Sequence, residues 1–384
     1  MKRGAILACS LLSFGAFAGD DIGKWDPNLA EKTAVVTNGM KWIDGRNMPL
    51  EGRAFDDTAT YFERLPAGVT TNVNGGVRGM KRHTAGMQLR FRTDSPRICL
   101  EWTPDGDPKS FPHMAQTGIN GIDVYRFDEI ERRWKYLHTG IVWDASKPGR
   151  MTLEWFPNHA CLVHLPLYNG LKDLKVGILP HCSVKPLGPR ASGVDRPVVF
   201  YGTSITHGGC CSRPGMGFVN ILGRMYDLPV VNLGFSGSGR MELEMSEHLA
   251  RIDASCYVLD CLWNMGSRAF GDKPGATVEE NFEPFVRNLR AKRPDVPIVI
   301  AESCDVYCGE SPRSPHHQAK DRFVRGVYDK LIAEGWKRLH WLPKDEMYAD
   351  DYEGTVDGCH PNDLGMMSMA KAFGGAVRKA LKLK

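Results

Sequence analysis

A serine, a histidine and a carboxylate are spaced along this chain as an activated nucleophile requires. Ser204 lies in Gly202-Thr203-Ser204-Ile205-Thr206, directly after the apolar run Pro197-Val198-Val199-Phe200-Tyr201. A serine on such a turn sits at the rim of a sheet, where a base can take its proton. Taken alone, the same serine reads as a helix cap. Near the C-terminus, Asp357-Gly358-Cys359-His360-Pro361 offers the base. The Asp-x-x-His spacing lets one loop hold a carboxylate against an imidazole. The acid then fixes the tautomer and stabilises the imidazolium that forms on proton transfer. Two further segments, Gly234-Phe235-Ser236-Gly237-Ser238-Gly239 and Cys261-Leu262-Trp263-Asn264, offer donors for a developing oxyanion. The candidate set is the N–H groups of Ser204 and Gly237 and the side-chain amide of Asn264. Loss of one such donor typically costs about 10²–10³ in rate.

These residues need elements to position them. Continuous apolar runs recur at residues 197–201, 229–233, 256–260, 296–300 and 338–342, as expected of strands buried on both faces. Helical patterns fall between them, at 242–252 and at 277–293, the latter opening with Thr277 and Glu280 as a capping box. A last helix is expected at 362–381. Strand and helix in alternation predict an α/β domain with a parallel sheet, whose sites lie at the C-terminal ends of its strands. Before it, period-two patterns such as Met87, Leu89, Phe91 and Ile98, Leu100, Trp102 alternate with turn signals, predicting an antiparallel β-sandwich. The expected organisation is a leader at 1–18, a β domain at 19–182, a Pro/Gly/Ser-rich linker at 183–196 and the α/β domain at 197–384.

The leader reads as a signal peptide. Lys2 and Arg3 precede the apolar stretch Ala5–Phe14, and Ala16-Phe17-Ala18 is a small-x-small cleavage pattern. The expected location is the periplasm or the exterior of a bacterium, without a transmembrane segment. The chain has 384 residues and 49 Lys+Arg against 45 Asp+Glu, a net +4 that gives no reason to expect nucleic acid as a partner. Cys304, Cys308, His316 and His317 lack zinc-ligand spacing, and the activated-serine chemistry needs neither a metal nor an organic cofactor, so none is expected. Gly234–Gly239 runs GxxGxG and is not a dinucleotide fingerprint.

The ordered blocks Gly202-Thr203-Ser204-Ile205-Thr206, Asn232 with Gly237, Asn264, and Asp357-x-x-His360 resemble the SGNH (GDSL-like) hydrolase superfamily. The resemblance implies a flavodoxin-like three-layer domain with Ser204 as nucleophile, His360 as base and Asp357 as its orienter. It also implies an oxyanion hole from Ser204, Gly237 and Asn264. Thr203 stands where the family usually has Asp, and Asn264 lacks the usual Gly-x-Asn-Asp surround. Gly121-Ile122-Asp123-Val124-Tyr125 is similar to the Gly-x-Asp-Leu-Tyr motif of a β-rich domain that precedes some of these hydrolases, and Arg82–Met87 fits the same subgroup.

Members of this kind look like carbohydrate esterases. The expectation is therefore a secreted serine carboxylic-ester hydrolase acting on an acetylated polysaccharide or oligosaccharide, xylan-like, through an acyl-serine intermediate. The alternatives are an esterase or lipase for non-carbohydrate esters and a non-catalytic carbohydrate-binding protein. Trp263 could stack on a sugar or belong to the core. Arg240 and Arg213 could meet sugar hydroxyls or only solvent. Glu302 could touch substrate or replace Asp357 as the orienting acid. Asp260 reads as structural, and His207, His316 and His317 as loop surface.

Overall fold

The apolar runs beyond residue 197 pair as five parallel strands: Val198–Gly202, Val230–Gly234, Cys256–Asp260, Ile298–Ala301 and Leu339–Leu342. The structure is a computed structural model, and it describes residues 26–106, 110–144, 147–154, 159–303, 315–347 and 353–383. The leader expected at 1–18 and the pair Cys304 and Cys308 lie outside the described residues.

In the parallel sheet, Val198–Gly202 lies between Val230–Gly234 and Cys256–Asp260, followed outward by Ile298–Ala301 and Leu339–Leu342. The chain thus reverses its direction of travel across the sheet at its first strand. A crevice opens at such a switch point, beyond the C-terminal strand ends, and Ser204 stands there. Leu243–Arg251, Val278–Lys292 and Pro315–Ala333 cover one face, burying Leu249, Phe282, Phe285 and Val324. Phe218–Met225 and Asp363–Leu381 cover the other, where Phe218 and Phe373 stack at 4.7 Å beside Phe200. Pro315–Ala333 has no counterpart in the sequence reading, because its apolar positions are sparse and it follows a segment without clear periodicity.

The preceding half has two antiparallel sheets. One contains Met40–Asp44, Arg97–Pro104, Gly149–Glu154 and Leu171–Ile178; the other contains Gln88–Thr93, Ile122–Asp128, Arg133–Gly140 and His159–His164. Trp102, Leu100, Phe91 and Val163 fill the space between them. The stretch expected as a linker begins with a short strand, Val184–Pro186, paired with Phe91–Thr93.

The two halves interlock. Within Gly121–Tyr125, Asp123 is fully buried and accepts from the Arg213 guanidinium (3.0 Å), the Gly215 N–H (2.7 Å) and the Thr139 hydroxyl (2.6 Å). Burial dominates and raises the Asp123 carboxyl above its ordinary range despite these donors. The Tyr125 hydroxyl meets Arg213, and a Cβ on Gly215 would come within 2.3 Å of it. The motif thus docks the β domain onto the loop that follows the nucleophile. Arg213 serves this contact rather than the open surface.

A second contact is deeper. Arg64 is fully buried and donates to the carbonyls of Asn232 (3.2 Å), Gly234 (2.7 Å) and Met80 (2.9 Å). Burial lowers its guanidinium to about 9. His207 lies beside it, against the surface placement expected for it: it is wholly buried, stacks on Tyr168 at 4.1 Å and bonds the Leu167 carbonyl at 2.7 Å.

Candidate active site

Ser204 opens the short helix Ser204–His207, with Thr203 as its cap; the Thr203 hydroxyl accepts from the Ile205 N–H at 3.3 Å. The turn is tight enough to exclude a Cβ at Gly202, which would lie 2.0 Å from the Thr206 hydroxyl. Asn232 braces the turn from the next strand: its Nδ2 donates to the Thr206 carbonyl (2.7 Å), and its Oδ1 accepts from the Gly234 N–H (2.8 Å). Behind it, the Thr206 hydroxyl donates to Asp260 at 2.7 Å. Burial pushes that carboxyl up to about 7. Asp260 is a brace for the nucleophile turn, in keeping with its structural reading.

The base arrives from the other end of the domain. Asn362 caps the last helix, accepting from the Leu364 and Gly365 N–H groups (3.0 and 3.2 Å). Pro361 accepts from the Cys210 N–H (3.0 Å), pinning the loop to the segment after the nucleophile. His360 Nε2 then lies 3.0 Å from Ser204 Oγ, and His360 Nδ1 lies 2.8 Å from Asp357 Oδ2. The second oxygen of Asp357 accepts from the N–H groups of His360 (2.7 Å) and Cys359 (3.0 Å). Burial alone would raise the Asp357 carboxyl, but the His360 N–H, the His360 ring and the Cys359 N–H outweigh it and hold it below its ordinary range. An ionised Asp357 assigns the proton to Nδ1 and leaves the Nε2 lone pair toward the serine.

Ser204, Gly237, Asn264, Trp263 and His360 line one cleft of about 390 Å³. Gly237 adopts φ +65°, a left-handed turn that favours glycine. In the amide orientation that satisfies both ends of Asn264, Oδ1 accepts from the Ser238 and Gly239 N–H groups (3.0 and 3.3 Å), which fixes Nδ2 as the donor. Trp263 is half-buried, with its ring 4.4 Å from that of His317. Arg240 donates to the Gly237 carbonyl (2.8 Å) and so supports the turn from behind. Glu302 does not reach His360 as an orienting acid; it accepts from the Lys344 N–H at 3.1 Å. His316 pairs with Asp272 at 2.6 Å.

Part of the cleft wall comes from the β domain. Phe111, His113, Met114 and Tyr168 line it opposite the strand ends, and the Tyr168 hydroxyl donates to the Ser204 carbonyl at 3.2 Å. No sequence signal marks them, since they lie more than 35 positions before Ser204 and carry no motif. Cys210 also lines the cleft. Burial, then Asp357 and Cys359, push its thiol up to about 12, so with no cation bound it is protonated and does not compete with the serine as a nucleophile.

Known proteins resemble this chain over both of its halves. Residues 195–378 match the model of the GDSL-like lipase/acylhydrolase family, and residues 40–184 match that of the N-terminal domain of SGNH-hydrolase-type esterases. A solved structure from Bacteroides ovatus described as a GDSL-like lipase is 29% identical, with 90% of this chain and 99% of that one covered and a TM-score of 0.79. A salicylyl-acyltransferase from a tetracycline biosynthetic pathway is 18% identical, covering 88% of this chain and 96% of its own, with a TM-score of 0.67. A family two carbohydrate esterase from Cellvibrio japonicus is 12% identical, covering 89% and 98%, with a TM-score of 0.56. At these last two identities the likeness is one of fold. No curated protein matches the chain in sequence. Among the described residues, no helix is long and apolar enough to cross a membrane.

Proposed function

We propose that this chain, whose residues 195–378 belong to the GDSL-like lipase/acylhydrolase family, is an exported esterase that removes acetyl groups from plant polysaccharides through an acyl-Ser204 intermediate. The observation that carries the serine chemistry is the unbroken relay from Ser204 Oγ through His360 to Asp357, at 3.0 and 2.8 Å. Ser204 attacks the ester carbonyl while Nε2 of His360 takes its proton. The imidazolium is held against Asp357. The oxyanion is met by the N–H groups of Ser204 and Gly237 and by Asn264 Nδ2. Collapse expels the sugar hydroxyl, which leaves with the proton from His360. Water then repeats the sequence on the acyl-serine and releases acetate.

Trp263, which lines the cleft, supports a sugar ring as the alcohol. The fold shared with a carbohydrate esterase adds to this reading. A second reading, an ester without a sugar, is favoured by the apolar wall of Phe111, Met114 and Tyr168. A non-catalytic binding protein would have no use for so complete a relay. Acetate release from acetylated xylan by wild type and Ser204→Ala decides among them. Release that disappears in the variant supports the proposal. No release from xylan together with rapid cleavage of an aryl acetate moves the second reading forward.

A further inference from the structure

The cleft holds a second constellation, which shares His360 with the hydrolytic relay and adds two side chains that the relay does not use. His113 reaches it from the β domain, Cys210 from the loop after the nucleophile, and His360 from the C-terminal loop. One ligand atom of each, two imidazole nitrogens and a thiol sulfur, lie within 4.8 Å of one another. The rings of His113 and His360 are 5.2 Å apart. Two imidazoles and a thiolate form a donor set suited to a borderline-soft divalent cation, Zn²⁺ above all, and poorly suited to Mg²⁺ or Ca²⁺, which take oxygen.

The outer contacts fit as well. A metal-bound histidine normally gives its other ring N–H to a carboxylate, which fixes the tautomer. Asp357 does this for His360 at 2.8 Å, leaving Nε2 as the ligating atom. The bond that prepares His360 as a base therefore also prepares it as a ligand. Donors on a tetrahedral zinc, with bonds of about 2.0–2.3 Å, stand about 3.3–3.7 Å apart. The three atoms need to close by at most about 1.5 Å, and His113 is exposed enough for its ring to turn inward.

We propose that His113, Cys210 and His360 bind Zn²⁺ as a reversible inhibitory site. Coordination replaces the Cys210 thiol proton, which passes to solvent, and occupies the Nε2 lone pair that accepts the Ser204 proton. The fourth position is left to water. On the assignment of His360 as the base, the metal-bound and hydrolytic states exclude each other. The β domain then controls the site, since it brings His113 to the cleft.

The test separates binding from hydrolysis. Co²⁺ titrated into full-length Ser204→Ala is expected to give a thiolate-to-cobalt charge-transfer band and the intense visible absorption of four-coordinate cobalt. Added Zn²⁺ is expected to abolish both. Cys210→Ser in that background removes the charge-transfer band, and His113→Ala weakens Co²⁺ binding by at least about tenfold. In the Ser204-intact protein, Zn²⁺ inhibits aryl acetate hydrolysis and EDTA restores it. His113→Ala, compared with its own zinc-free rate, needs at least about tenfold more Zn²⁺. The proposal is overturned if no charge-transfer band forms, if the band persists in Cys210→Ser, or if Zn²⁺ inhibits His113→Ala as strongly as wild type. A protein that binds cobalt as described but hydrolyses no ester would overturn the esterase reading and not the metal site.

Discussion

Replacing Asp357 by Asn separates what its two oxygens do. One oxygen accepts from the His360 and Cys359 N–H groups, and an Asn oxygen keeps both bonds. The other faces His360 Nδ1 at 2.8 Å, and there the variant presents an NH₂. That group donates to Nδ1, so the ring proton moves to Nε2 and points at Ser204 Oγ. The serine then faces a donor where it needs an acceptor. The expected loss is about 10³–10⁴ in kcat/KM, or about 4–5.5 kcal/mol of transition-state stabilisation. Asp357→Ala loses the loop anchors as well, so it is expected to be destabilised by about 0.5–1.5 kcal/mol relative to Asp357→Asn. The assay is steady-state hydrolysis of an aryl acetate, with urea denaturation of all three proteins alongside. An Asp357→Asn variant that keeps more than a tenth of wild-type kcat/KM would refute the reasoning, since His360 would then be oriented without this carboxylate.

Two other residues make separable predictions. Asn264→Ala removes an oxyanion donor and is expected to lower kcat by about 10²–10³ with little change in KM, measured on the same substrate; a change confined to KM would assign Asn264 to ground-state binding. Asp260 tests burial: its carboxyl is pushed from the usual 3.8 up to about 7. Below pH ~4 both folded and unfolded chains hold this proton and the group has no effect on stability. Between about 4 and 7 the unfolded chain releases the proton while the folded one keeps it, so stability falls as pH rises, by something on the order of 4 kcal/mol. Asp260→Asn, whose amide oxygen still accepts from Thr206, is expected to gain stability over wild type progressively across that window. Parallel denaturation curves at pH 4 and pH 8 for the two proteins would count against it.

Much of the catalytic domain was legible because its strands are buried on both faces. Runs such as Val198–Tyr201 and Cys256–Asp260 leave no alternative period to read, and the glycine turn and Asp-x-x-His loop that follow are local. Asn362 and Gly202 mark their turns by chemistry that a short window contains. What stayed hidden depends on contacts between residues far apart in the chain, from 39 positions for His207 and Tyr168 to 170 for Arg64 and Gly234. Nothing near Arg64 says that its guanidinium ends among the carbonyls of Asn232 and Gly234, and nothing near His207 says that Tyr168 will cover it. The meeting of His113, Cys210 and His360 is likewise a product of domain docking, which is why a search for ligand spacing along the chain misses it. The orienting position beside His360 Nδ1 is held by Asp357 rather than Glu302, as the local Asp-x-x-His spacing suggested.

The central claim is that Ser204 is a nucleophile activated by His360. A fluorophosphonate probe, followed by peptide mass spectrometry, tests it without any choice of substrate. The account predicts one adduct, on the peptide carrying Ser204, forming rapidly in wild type and at least about a hundredfold more slowly in His360→Ala. No adduct in folded wild-type protein, or equal labelling in the two proteins, would contradict it.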